Sequence, residues 1–213
     1  GFVMQGEVLA AQNRLADAAK AYAEAARRQS TPGLAVRRHQ LLQAAKETLA
    51  ADAVAAAWFK DNPKDPIVRF YLGNAALQAK DFKSAAARYQ EILALQPGHV
   101  AVMNNLAWAL SELKDPAALG YAEKAHAKAP ADPNIQDTYG WLLFNSGDEK
   151  RGIALLTQAA TAAPKSPEVR MHLAKALLKT GDKAAAKREL EAVVQFAGKS
   201  PLKAEAEQLL QAP

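Results

Sequence analysis

The stretch that decides the fold is "FYLGNAALQAKDFKSAAARYQEILALQP", residues 70–97. Its apolar residues recur at intervals of three and four, as Leu72 and Ala76 do, which is the spacing of one face of an α-helix. The pattern breaks at Lys80-Asp81, resumes, and ends at Pro97, because proline cannot continue the helical hydrogen-bond ladder. The stretch therefore predicts two amphipathic helices joined by a tight turn.

The same pattern repeats along the chain. A capping Thr, Asp or Ser followed by proline is a typical helix start, and it occurs at Thr31-Pro32, Asp65-Pro66, Asp132-Pro133, Ser166-Pro167 and Ser200-Pro201. These starts are separated by 34, 67, 34 and 34 residues. The gap of 67 is two periods, and His99 stands at the missing position. We therefore predict a helix start at His99 that has lost its cap.

Small residues keep the same period. They fall in the first helix of a unit at Gly6, Gly73, Ala107, Gly140 and Ala174, and in the second helix at Ala18, Ala51, Ala85, Ala118, Gly152 and Ala186. No stretch alternates with period two, so an all-α chain is predicted. We expect a single domain over residues 1–213 that consists of six helical hairpins and a C-terminal capping helix, with bounds near 1–31, 32–65, 66–99, 100–132, 133–166, 167–199 and 200–213.

A unit of 34 residues that reads Leu-Gly, then Ala-x3-aromatic, then Pro resembles the tetratricopeptide repeat. In residues 70–97 these places are held by Leu72-Gly73, Ala85, Tyr89 and Pro97. The resemblance covers the chain and implies a right-handed α-solenoid that binds a peptide or protein in its concave groove. The second repeat, residues 32–65, departs most from this pattern, because His39 stands where a small residue belongs.

A narrower resemblance is carried by the second half of the chain. Its phrases are "NNLAWALSELKDPAALGYAEKAHAKAP", "DTYGWLLFNSGD" and "HLAKALLKTGDKAAAKREL". They are similar to the C-terminal repeats of the tetratricopeptide lipoproteins found with exosortase and PEP-CTERM exopolysaccharide systems. This resemblance implies a periplasmic or envelope-associated scaffold for polysaccharide synthesis or export, although the sequence itself does not exclude the cytoplasm.

Composition excludes several classes of protein. The chain is 50% hydrophobic, carries a net charge of +5 and has no cysteine. Its charges are interspersed, whereas nucleic-acid-binding proteins concentrate basic residues on one face, so no nucleic-acid partner is expected. No apolar run reaches the roughly 20 residues of a transmembrane helix. The sequence begins inside a helical pattern without Met, so we expect a C-terminal fragment of a longer chain.

No catalytic, cofactor or metal site is predicted. The four histidines stand in separate repeats without the spacing of metal ligands, and no phosphate-binding glycine motif occurs. An enzyme would need a cluster of titratable groups that the sequence does not indicate. We therefore expect a non-catalytic protein without a cofactor.

The candidate binding residues form one stripe on the first helices. At 100° per residue, Trp141 and Phe144 turn away from Gly140, whereas Tyr139 and Leu143 belong to the core. The predicted concave groove consists of Phe70, Asn74, Asn104, Asn105, Trp108, Asp137, Trp141, Phe144, His172 and Lys175.

Two interpretations of Trp108 and Trp141 stay open at the level of sequence. Each tryptophan lines a groove or packs between repeats. The sequence does not distinguish the two, because a ligand and a neighbouring helix bury the same apolar area. The predicted function is a protein–protein interaction scaffold for a peptide or protein partner in an envelope complex. The alternative is a module that binds polysaccharide directly through its groove aromatics, and a purely structural spacer would leave the groove empty.

Overall fold

The computed structural model describes residues 1–211. Within this range the chain forms helices and turns and contains no strand. The helices are α1 (Phe2–Ala11), α2 (Leu15–Arg28), α3 (Pro32–Ala44), α4 (Thr48–Asp61), α5 (Pro66–Gln78), α6 (Phe82–Leu95), α7 (Val100–Glu112), α8 (Ala117–Lys128), α9 (Pro133–Asn145), α10 (Glu149–Ala162), α11 (Pro167–Lys179), α12 (Lys183–Phe196) and α13 (Pro201–Gln211). The predicted all-α class, with six hairpins and a final helix, is confirmed for the described residues.

The helices group into two compact units. The first unit, Gly1–Pro97, contains α1 to α6, and the second begins at Gly98 and contains α7 to α13. In the second unit each helix packs against the next helix along the chain, and in the first unit α1 with α2, α2 with α3, α3 with α4 and α5 with α6 do so. First helices of adjacent hairpins also touch, as α7 does with α9 and α9 with α11. One continuous solenoid over residues 1–213 stays a prediction. None of the described helices is long and apolar enough to span a membrane.

The starts of the first helices are capped as the sequence predicts, with one exception. The Asp65 carboxylate accepts the Val68 backbone N–H at 2.9 Å, and Thr31 and Ser166 cap in the same way. The expectation of a lost cap at His99 is wrong. Its Nδ1 accepts the Val102 N–H at 3.4 Å, because a neutral imidazole offers one nitrogen lone pair as an acceptor.

The turns inside the hairpins require a left-handed residue. Gly147 and Gly181 adopt φ angles of 101° and 86°, and Lys80 and Lys114 adopt 59° and 58° at some conformational cost, because a Cβ atom crowds the backbone in this region. The aspartate that follows a left-handed residue has a role that sequence analysis missed. The side chains of Asp81, Asp148 and Asp182 each accept a backbone N–H of the helix they precede.

The two helices of the α9–α10 hairpin approach each other closely at two glycines. A Cβ on Gly140 would lie 3.0 Å from the Gly152 carbonyl oxygen, and one on Gly152 would lie 2.7 Å from the Phe144 backbone nitrogen. Tyr139 and Leu143, on the same side of α9, are 5% and 4% exposed. The predicted core role of these residues is confirmed.

The last helix covers the end of the second unit. Leu202, Leu209 and Leu210 of α13 pack around buried Ala206 and against a core that includes Met171. The predicted apolar face of the capping helix therefore meets α11 and α12, and Glu207 on its other side is exposed.

His39 fits into the second hairpin through a hydrogen bond. The ring is 6% exposed, and its Nδ1 lies 2.8 Å from the Tyr71 hydroxyl of the next hairpin. The tyrosine therefore satisfies the polar group that replaces a small residue. Burial lowers the pKa of His39, and the charge of Asp52 opposes this shift.

The contact between α9 and α10 predicts opposite effects for two glycine substitutions in the second unit. Gly152→Ala forces a methyl group into backbone atoms that cannot yield, so we expect a loss of about 1–3 kcal/mol in the free energy of unfolding. Gly120→Ala is the matched control, because a Cβ on the exposed Gly120 of α8 meets nothing within 4 Å. There alanine should stabilise by about 0.5–1 kcal/mol. Urea titrations followed by circular dichroism measure both, and equal stability of the two variants contradicts the tight contact.

The buried His39 predicts a pH dependence of the stability of the first unit. Its folded-state pKa is lower than its ordinary value of 6.5, so the unfolded state binds the proton more readily. The contribution of neutral His39 to the free energy of unfolding is therefore complete above pH 6.5, and it is lost as the pH falls below that value. The pKa of Glu7 is also lowered, chiefly by the hydrogen bond from the Tyr22 hydroxyl. Glu7 therefore affects the pH dependence of stability only below its ordinary pKa of 4.5.

Urea midpoints measured between pH 5 and 7.5 should thus decrease with acidity, and His39→Gln should flatten this part of the profile. An identical slope in the variant would assign the pH dependence to other groups.

Candidate functional site

Three neighbouring first helices of the second unit carry the candidate site. Asn104 and Trp108 are four residues apart on α7, and Asp137 and Trp141 repeat this pair on α9. Residues four apart lie on the same face of a helix. A polar residue and a tryptophan thus recur one turn apart on two adjacent helices, and His172 comes from the third helix, α11.

The rings of Trp108, Trp141 and His172 form what we call the aromatic surface. The His172 ring stacks on Trp141, with centroids 4.8 Å apart and planes at 20°, and lies tilted against Trp108 at 5.4 Å. Two tryptophans that are 33 positions apart in the sequence are therefore joined by one imidazole. Offset and edge contacts of this kind add to the stabilisation that burial alone provides.

A carboxylate fixes the orientation of His172. Asp137 is 8% exposed, and its Oδ2 lies 2.8 Å from His172 Nδ1. Because the carboxylate accepts, Nδ1 carries a hydrogen and donates it to Asp137. Among residues 1–211, no hydrogen-bond partner of Nε2 is present. The orientation of the ring in the aromatic surface is therefore fixed before any partner binds.

Both tryptophans are intermediate between buried and exposed. Part of each indole packs against His172, and part stays at the surface of the second unit. Packing is thus observed for both rings, whereas their role in lining a groove stays a prediction. Packing holds the indoles in place, and the remaining area is available to a partner.

Phe144 does not belong to the surface that the sequence predicts. It is 1% exposed and lies in a core cluster with Leu156 and Val169. Phe144 stands four residues after Gly140 and therefore lies on nearly the same face of α9, the face that packs against Gly152 of α10. The prediction of Phe144 as a contact residue is therefore wrong, and the residue instead supports Trp141, whose ring is 6.1 Å away.

Polar groups border the aromatic surface. Lys175 Nζ lies 2.7 Å from Glu205 of α13, so the capping helix neutralises the predicted lysine. The Oδ1 atom of Asn104 is buried without a hydrogen-bond partner among the described residues. Asn105 is half-buried and bonded. An unpaired buried amide oxygen is a position where a donor from a partner is favourable after a side-chain rotation.

Phe70 and Asn74 belong to the first unit. The Tyr89 hydroxyl donates to Asn74 Oδ1 at 2.7 Å, and the Phe70 ring lies 6.3 Å from that of Tyr89. Their polar and aromatic atoms are therefore already engaged inside their own hairpin. Their predicted role as groove residues stays a prediction.

Sequence analysis named Asp137 and His172 but missed the bond between them. Their separation is 35 residues, which is one period plus one. In a repeat protein this spacing places two side chains on neighbouring first helices, so the period contained the signal. Glu205 gave no such signal, because it stands outside the repeats. Within residues 1–211, no group of three or more His, Cys, Asp or Glu could hold a metal ion.

Sequence comparison decides the family. The profile of the tetratricopeptide repeat matches residues 76–118 and 143–212, which is more than half of the chain. The chain belongs to the tetratricopeptide repeat family. No curated protein matches the sequence significantly.

Solved tetratricopeptide proteins share this fold at low sequence identity. YrrB, described as having an unusual peptide-binding site, is 16% identical with a TM-score of 0.61, over 89% of this chain and 99% of its own. The protein TTC0263 from Thermus thermophilus is 21% identical with a TM-score of 0.69, over 85% and 100%. A repeat protein from Parabacteroides merdae is 12% identical with a TM-score of 0.75, over 98% and 85%. These similarities concern the fold alone.

The bond between Asp137 and His172 predicts the effect of Asp137→Leu. The variant leaves the Nδ1 hydrogen without an acceptor, so we expect a loss of about 1–3 kcal/mol in stability. The His172 ring should also leave Trp141, so that acrylamide quenches the indole more strongly. The measurement uses a Trp58→Phe background, in which only Trp108 and Trp141 emit. Glu112→Gln, an exposed carboxylate on α7, is the control. Unchanged quenching would mean that stacking alone holds the histidine.

Proposed function

We propose that this tetratricopeptide repeat protein is a non-catalytic scaffold that binds a peptide or protein segment on the aromatic surface. The observation that carries the proposal is the contact of Trp108 and Trp141 with one carboxylate-oriented histidine, at intermediate exposure. Half-exposed tryptophans held by packing provide contact area without a large loss of side-chain entropy on binding. The surface is thus formed in advance of its partner.

The polar groups beside the rings suit a peptide. Asn104 and Asn105 offer amides to a backbone that runs along α7, and His172 Nε2 offers a further ring nitrogen for a hydrogen bond next to Trp141. A peptide backbone presents donors and acceptors at regular intervals, whereas its side chains supply apolar groups for the indoles. Titratable groups at the surface are engaged in bonds to Asp137 and Glu205, which supports recognition without chemistry.

We place this scaffold, as part of the same proposal, in an envelope complex for exopolysaccharide synthesis or export. The support is the resemblance of residues 104–130, 137–148 and 172–190 to repeats of PEP-CTERM-associated lipoproteins. A periplasmic or envelope-associated location follows from that resemblance. Direct binding of polysaccharide is the alternative, and it is disfavoured because His172 already covers a face of Trp141 on which a sugar would stack.

The test selects peptides from a random library on the wild-type chain and compares variants. The double variant with Trp108→Ala and Trp141→Ala should bind the selected peptides about thirtyfold more weakly or worse. Tryptophans at the centre of an interface commonly contribute about 2 kcal/mol or more. Tyr121→Ala, a partly buried aromatic on α8, should leave the affinity unchanged. Isothermal titration calorimetry gives the affinities, and circular dichroism confirms that the helices persist.

A second arm distinguishes the ligand class. The Trp58→Phe variant is titrated with a neutral β-glucan and with an anionic uronate polymer while the emission of the remaining indoles is followed. A saturable shift with a polymer, together with no peptide selected above background, would overturn the peptide proposal. If the double alanine variant loses helicity, Trp108→Phe and Trp141→Phe replace it, with a smaller expected loss of affinity.

A further inference from the structure

A second site is present in the same unit, away from the aromatic surface. A cleft of about 430 Å³ opens between α8 and α10, with the side of α9 between them. This volume is within the range of small-molecule sites in proteins. The cleft is lined by Glu123, His126, Ala127, Tyr139, Arg151, Ala154 and Leu155. It therefore combines apolar walls with two cationic or donor side chains, a phenol and a carboxylate.

The innermost polar group is a tyrosine whose hydrogen is free. Tyr139 is 5% exposed, and its oxygen accepts a hydrogen from Arg151 Nη2 at 3.2 Å. Since the oxygen is the acceptor in this bond, the hydroxyl hydrogen is left to donate. Among residues 1–211 it has no acceptor. A hydroxyl hydrogen without an acceptor in the protein, at the wall of a cleft, suits a ligand that accepts hydrogen bonds.

Two further donors face the same space. The Arg151 guanidinium is largely exposed, and its ion pair with Asp148 is long, with 3.3 Å between Nη1 and Oδ2. Other N–H groups of the guanidinium therefore stay available to a ligand. The hydrogen bond with Tyr139, and then the charges around it, raise the pKa of Arg151 and keep it charged. The His126 ring lies 5.2 Å from the Tyr139 ring, and its nitrogens have no hydrogen-bond partner within the described chain. Arginine, tyrosine and histidine together form a set that suits a carboxylate.

Glu123 decides which carboxylate ligands fit. It stands three residues before His126 on α8, one turn away on the same face, and has no ion-pair partner among residues 1–211. A phosphate dianion would be repelled by Glu123 and by Asp148. A ligand with an ammonium group beside its carboxylate instead pairs with both signs of charge. The apolar side of such a ligand has Ala154 and Leu155 as its neighbours.

We propose that this cleft binds a small zwitterion of the amino-acid type, with its carboxylate at Arg151, Tyr139 and His126 and its ammonium group at Glu123. The site is independent of the aromatic surface, because its residues come from the second helices α8 and α10 and from the core side of α9. The tetratricopeptide scaffold would thus respond to a small molecule as well as to a partner chain.

The test uses the complete chain and three related probes. Chemical shifts of ¹⁵N-labelled protein, including the Arg151 side chain, are followed while L-leucine, L-leucinamide or N-acetyl-L-leucine is added. Leucinamide lacks the carboxylate, and N-acetyl-leucine lacks the ammonium group. We expect saturable binding of leucine and about tenfold weaker binding of each of the other two, since each loses a hydrogen-bonded charge pair.

Substitutions assign the roles of individual residues. Arg151→Gln should lower the affinity for leucine about tenfold. Tyr139→Phe should lower this affinity severalfold, while the aromatic ring stays in the core. Lys150→Gln, the neighbouring exposed cation outside the cleft, should have no effect. Glu123→Gln should abolish the preference for leucine over N-acetyl-leucine, because the ammonium group then has no carboxylate to meet.

The proposal is overturned if none of the three probes shows saturable shifts up to about 20 mM, or if leucinamide binds as tightly as leucine. The variant with Trp108→Ala and Trp141→Ala should still bind leucine. This separates a failure of the cleft from a failure of the peptide site, because the two sites share no residue. Circular dichroism of each variant shows whether a loss of binding reflects a loss of helix.

Discussion

The close approach of paired helices at small residues is the constraint on which the rest of the structure depends. In the second helices the periodic small residues Ala18, Ala51, Ala85 and Ala186 are wholly buried, and Gly152 is so close to α9 that even a methyl group meets backbone atoms. Contact at this distance brings many apolar atoms of the two helices within van der Waals range. It also fixes the rotation of each first helix about its own axis, because only the face that carries small residues fits this close to the neighbouring helix.

That fixed rotation produces the aromatic surface. With Gly140 turned toward α10, Trp141 must point away from its partner helix and toward α11, where it meets His172. The same rotation on α7 brings Trp108 to the same imidazole. The aromatic surface is thus built from residues that no single hairpin contains, and the hydrogen bond from His172 to Asp137 orders it. Rigid surfaces of this kind bind with little loss of conformational entropy.

The second helices have a different role. Their outer sides leave a cleft between α8 and α10, in which Tyr139 links the core to the solvent through Arg151. One residue therefore serves the packing of the hairpin with its ring and the chemistry of the cleft with its hydroxyl. Tyrosine can do both because its body is apolar and its tip is polar. The two proposed sites use opposite sides of α9, so that each can be altered without direct contact with the other.

The amino-acid sequence alone predicts the helices, their turns and their pairing into hairpins, because helix caps, left-handed turn residues and the 34-residue spacing of small residues are local signals. It also indicated that Trp108 and Trp141 occupy equivalent places. The exposure of each side chain follows from tertiary packing, since it depends on the rotation and distance of a neighbouring helix. The two wrong predictions have local reasons instead: Phe144 stands four residues after Gly140, on the face that packs against α10, and the imidazole of His99 caps its own helix. The bond of Lys175 to Glu205 and the cleft at Tyr139 join residues with no common sequence pattern, and only the packing of separate helices brings them together.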